Sequence, residues 1–66
     1  MVDSLTLYNT QNHKVKLIET DGTEHIGVVD FYESEYDSGY DMATIGLNNN
    51  GILFKADEIK SIEIID

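Results

Sequence analysis

Cysteine is absent from these 66 residues, and so are proline, tryptophan and arginine. Without cysteine there are no disulfides and no thiolate metal sites. A chain this short buries only roughly 60% of its unfolded surface, so it is marginal alone, and association with copies of itself is an ordinary remedy for so small a scaffold. A cysteine-free chain fits a reducing cytoplasm, which is the expected compartment. With no proline, no repeat and no low-complexity linker, nothing marks a second domain, and residues 1–66 read as one unit. No apolar run approaches the ~20 residues of a membrane span, and no basic segment followed by an apolar stretch opens the chain. The expectation is a soluble protein without membrane contact.

The missing arginine sharpens the charge balance. Four lysines face 13 acidic residues, for a formal net charge of -9. Nucleic-acid affinity comes mostly from Lys and Arg neutralising phosphates, so RNA is disfavoured, and an anionic lipid surface is disfavoured on the same ground. An acidic surface keeps a small protein soluble. It also suits a basic protein partner, or the imitation of nucleic acid.

What the chain does contain is a series of short strands. "MVDSLTLYNTQN", residues 1–12, offers Asp3 or Ser4 as an N-cap, which predicts a short helical turn or an extended arm. "HKVKLIET", residues 13–20, alternates, with Val15 and Leu17 on one face and Lys14, Lys16 and Ile18 on the other, as a strand does. Asp21-Gly22 predicts a two-residue type I′ hairpin turn, with positive φ at both positions. That register sets His25 opposite about Ile18 and His13 opposite about Asp30. A long strand from Thr23 to about Ser34 then runs back. Gly27 inside it reads as a bend, because a residue without a side chain lets neighbouring backbone approach. Strands over 42–47, 52–55 and 59–65 follow, separated by an exposed acidic loop at 34–41, a tight turn "NNNG" at 48–51 and a short turn at 56–58 that suits a 3₁₀ helix. Five short strands in so few residues predict an all-β, small, strongly bent five-stranded antiparallel barrel over 13–65, because closure removes exposed edges.

"DGTEHIGVVDFYE" (Asp21 to Glu33), a strand turn followed by a bent strand with Gly27 five residues after Gly22, resembles the first motif of Sm and Sm-like (LSM) proteins. "ILFKADEIKSIEI" (Ile52 to Ile64) is similar to their second motif. The resemblance covers about residues 13–65, with residues 1–12 where the family has its N-terminal helix. It implies a barrel whose fourth and fifth strands pair with neighbouring copies in a ring, and RNA binding on loops lining the pore. The residues that the resemblance assigns to RNA are Thr44, where RNA-binding members place Asn, and Lys55 and Asp57 in "KAD", where they commonly show Arg-Gly-Asp. Gly22 and Gly27 are structural on the same comparison.

One further stretch could carry chemistry. "DFYESEYDSGYD" (Asp30 to Asp41) holds five carboxylates and three tyrosines. Dense oxygen ligands attract Ca²⁺, but this spacing matches no known calcium loop. Tyrosines are enriched at interfaces and carboxylates select basic partners, so Glu33, Glu35, Tyr36, Asp37, Tyr40 and Asp41 form a candidate partner-binding loop. No serine sits in a nucleophile elbow and no glycine-rich phosphate loop precedes a helix, so neither an enzyme nor a cofactor is expected. Three readings remain: a self-associating module that contacts a protein partner through the acidic loop, an RNA-binding ring, and an acidic mimic of nucleic acid that inhibits a basic protein.

Overall fold

Asp3 is the residue that starts the chain's only described helix. In the computed structural model, which describes residues 2–48 and 51–66, its carboxylate accepts the Thr6 amide at 2.8 Å and opens α1 (Ser4–Asn9). Only Leu7 of α1 is buried. Thr10 ends it by donating its hydroxyl to the Leu7 carbonyl at 2.7 Å. Asn12 then takes a left-handed φ of 65°, which asparagine tolerates better than most residues, and the chain turns into the sheet.

Five strands follow: β1 (Lys14–Glu19), β2 (Glu24–Glu33), β3 (Thr44–Leu47), β4 (Leu53–Lys55) and β5 (Ile59–Ile64). The last two are joined by a 3₁₀ turn, Ala56–Glu58. All pairings are antiparallel, in the order β4-β3-β2-β1-β5. The all-β architecture with a short N-terminal helix therefore holds. Of the expected 48–51 turn, Asn49 and Asn50 lie outside the described residues.

The first hairpin departs from the sequence expectation. Gly22 has a φ of 93°, but Asp21 is not left-handed, so the turn is not type I′. Gly22 donates its amide to the Glu19 carbonyl at 2.9 Å and Glu19 donates to Thr23 at 2.8 Å. Three residues, Thr20, Asp21 and Gly22, thus form the loop, a type I turn closed by a left-handed glycine. The Asp21 carboxylate accepts the Thr23 amide at 2.9 Å and braces it. The extra residue slips the register by one. His25 faces Leu17 and Gly27 faces Val15, where His25 had been expected opposite Ile18. A slip of one exchanges the two faces of a strand: Gly27 and Val29 turn inward and are buried, while Ile26 stays half exposed.

Gly27 sits just before β2 changes partner. Residues 24–28 pair with β1 and residues 29–33 with β3. The register of β2 on β3 then shifts between Val29 and Phe31, leaving Asp30 as the extra residue of a bulge. One sheet and one short helix enclose a single core of Leu7, Val15, Leu17, Val29, Ala43, Ile45, Leu47, Phe54, Ala56 and Ile59. All five strands contribute to it.

Three aspartates fasten the ends of these elements, and each is held below the ordinary carboxylate range. Thr6 bonds hold Asp3 down, the Thr23 amide holds Asp21 down, and the Lys14 amide holds Asp66 down. A lowered folded-state value means stability that is present above the ordinary aspartate value of 3.8 and lost as pH falls through the lowered ones. Acidification also relieves the repulsion of a chain at -9. Stability measured by urea titration is expected to rise from neutral pH into mild acid and fall again below that aspartate value. In carboxyl-detected NMR, Asp3, Asp21 and Asp66 should each titrate below the ordinary aspartate value.

Candidate functional site

No enclosed pocket lies among the described residues. The register of the outer strands sets Glu33, Thr44 and Lys55 in one cross-strand row, on one face. Thr44 is fully buried there, and among the described residues its hydroxyl has no hydrogen-bond partner. Lys55 is half-buried, with Nζ 5.1 Å from the centroid of the Tyr40 ring, a cation–π contact. Asp57 is exposed on the 3₁₀ turn, and it is Glu58 that folds back to accept the Lys55 amide at 2.9 Å. The structure thus brings Thr44 and Lys55 together and sets Asp57 apart. The Tyr40 contact, which joins Lys55 to the acidic loop, has no signal in the sequence.

The loop after β2 is tied by its own serines. Asp37 and Ser38 donate their amides to the Ser34 carbonyl at 3.1 and 3.0 Å, and the Ser34 hydroxyl donates to Asp37 at 3.3 Å. Ser38 donates its hydroxyl to Met42 at 2.6 Å and accepts the Tyr40 amide at 3.1 Å. Glu35, Tyr36, Asp37, Tyr40 and Asp41 are all exposed, with Tyr36 at 89%. A rotamer-poor aromatic held in water is a low-entropy contact for a partner. Among the described residues, no group of three or more His, Asp or Glu side chains is gathered as a metal site would be.

Each histidine has its own carboxylate. His13 Nδ1 lies 3.2 Å from Asp66 at the β5 end. His25 Nε2 lies 2.7 Å from Glu19, and its ring rests 4.9 Å from that of the core residue Phe54. The His25–Glu19 pair ties the ends of β1 and β2 together, and the ring contact lays an imidazole against β4.

Two surface features escaped sequence reasoning. On the outer face, Phe31, Gly46 and Leu53 form the next cross-strand row. A Cβ placed on Gly46 would stand 3.3 Å from Phe31 Cβ and 3.4 Å from Leu53 Cδ2, so the two side chains close over the glycine. Only the cross-strand register reveals that contact. The second feature is the pair of sheet ends. Strand order makes β4 and β5 the outermost strands, and exposed Leu53 and Ile64 lie on them. Ile65 donates its amide to Lys14 of β1 at 2.8 Å. Alternation along an antiparallel ladder therefore points the Ile64 amide away from β1, to the open side of β5.

By fold this is a small all-β protein, a five-stranded antiparallel sheet led by a short helix. No family model matches the chain, and neither a curated protein nor a solved structure matches it. No helix among the described residues is long and apolar enough to cross a membrane.

Proposed function

We propose that this chain is a non-enzymatic Sm-like module that works by association, pairing with copies of itself through the ends of its sheet and contacting a protein partner through the loop at 34–41. The observation that carries this reading is the sheet order. The two end strands are consecutive in sequence, joined by only the three residues Ala56–Glu58, and each has one side unpaired by the other four strands. Edge pairing supplies main-chain hydrogen bonds without a special side chain, and exposed Leu53 and Ile64 add apolar area beside those edges. The Sm-like assignment draws support from the helix followed by five strands, from the single core that every strand shares, and from Gly27 at the point where β2 changes partner. A strongly curled sheet is the simplest way for one layer to surround such a core while its two end strands stay open.

Sedimentation over a wide concentration range tests the reading. An assembly whose mass is a multiple of 7.4 kDa is expected, and a single chain at all concentrations would contradict it. The RNA-binding reading has one observation in its favour, the adjacency of Thr44 and Lys55. Its weakness is that Thr44 is fully buried, Lys55 is held against Tyr40, and the chain carries a net charge of -9.

A further inference from the structure

We propose that the outer face of β2, β3 and β4, floored by Gly46 and walled by Phe31 and Leu53, docks a basic protein segment that presents one apolar side chain between its cations. This deepens the loop-contact half of the function proposed above and is tested apart from edge association through Phe31, which lies on the central strand.

The site begins with three residues in one row. Phe31 and Leu53 lean over Gly46, yet remain 39% and 47% exposed, so apolar atoms of a central strand and an end strand stay in water side by side. Such a row is the seat for one apolar side chain. Glu33 follows Phe31 on the same face of β2, Asp30 is the bulge residue just before Phe31, and Glu35 lies in the loop beyond. None of the three is in a salt bridge among the described residues. From Asp30 to Asp41 there are five carboxylates and no lysine. The cation brought nearest by the register, Lys55, is already placed on Tyr40.

These charges choose the occupant. A second copy seated face to face here would set its own five carboxylates of Asp30 to Asp41 against these, and like charge set against like is costly at an interface. A segment with Lys or Arg flanking an apolar residue meets both the carboxylates and the Phe31–Leu53 seat. Tyr36, almost fully in water, offers the same segment a second, aromatic contact.

The test is an NMR titration of the labelled, full-length protein with a synthetic peptide of alternating Lys and Leu, compared with one in which every Leu is Ser. Shifts should centre on Phe31, Gly46, Leu53 and the Glu33–Tyr36 stretch, and the Lys-Ser peptide should bind at least about tenfold more weakly. Phe31→Ser should weaken the Lys-Leu peptide by about tenfold. Because Phe31 is on a central strand, the sedimentation of that variant should match wild type. Leu53→Ser provides a second variant, and the amide spectrum reports whether each is folded. Equal binding of the two peptides, no binding at all, or binding indifferent to both variants would overturn the proposal while leaving edge association intact. Phe31-dependent binding by a protein that sediments as a single chain would sustain the proposal and remove the edge reading instead.

Discussion

Phe54→Ala is expected to cost the fold a third or more of its stability. Phe54 is the largest of the fully enclosed side chains, it stands on β4, and the His25 ring rests against it from β2. Truncating a buried phenylalanine costs about 3–5 kcal/mol, part of it from the cavity left behind. A domain of this size has a total stability of only about 3–10 kcal/mol at the usual value per residue. Loss of one side chain therefore removes a third or more of what holds the fold. Circular dichroism and denaturant titration should show a collapsed or strongly shifted transition. A variant within about 0.5 kcal/mol of wild type would mean that Phe54 is not at the centre of the core.

Gly27→Val should be nearly as damaging for the opposite reason. Gly27 is buried on the core side of β2, directly across from fully buried Val15. Adding three carbons at a buried position overpacks it, which costs typically about 1–3 kcal/mol and more where the backbone cannot shift. The backbone here is constrained, since β2 passes from β1 to β3 within the next two residues and bulges at Asp30. In most strands Val for Gly would help, because β-branched residues favour the pleated conformation. A sign opposite to that propensity is the informative outcome. Urea titration of Gly27→Val should show a lower midpoint, and a stability equal to or above wild type would contradict the placement of Gly27.

The sequence announced β1 clearly, because Val15 and Leu17 alternate with lysines and only one face can be buried. For β2 it was silent between two registers. Ile26 and Val28 offer one apolar face, Gly27 and Val29 the other, so hydrophobic pattern does not choose. The turn makes the choice, and Asp-Gly serves both a two-residue type I′ loop and a three-residue loop with only the glycine left-handed. The candidate site was less legible than the fold for the same reason. The loop tyrosines and carboxylates could be named from composition, but Phe31, Gly46 and Leu53 are 15 and 7 positions apart in sequence and meet only through the β2–β3–β4 register. Lys55 and Tyr40 likewise become neighbours only once the strand and the loop are set in place.

Association through the sheet ends is the central claim, and Ile64→Pro addresses it with least disturbance. Proline removes the amide that points to the open side of β5, leaves the Ile65-to-Lys14 bond that holds β5 to β1, and is tolerated on an edge strand. Ile64 is 44% exposed, so little core is lost. Sedimentation of wild type beside a folded Ile64→Pro protein is the decisive measurement. Wild type should run as an assembly and the variant as a single 7.4 kDa chain; assemblies of equal mass in the two proteins, or a wild type that is itself a single chain, would contradict the account.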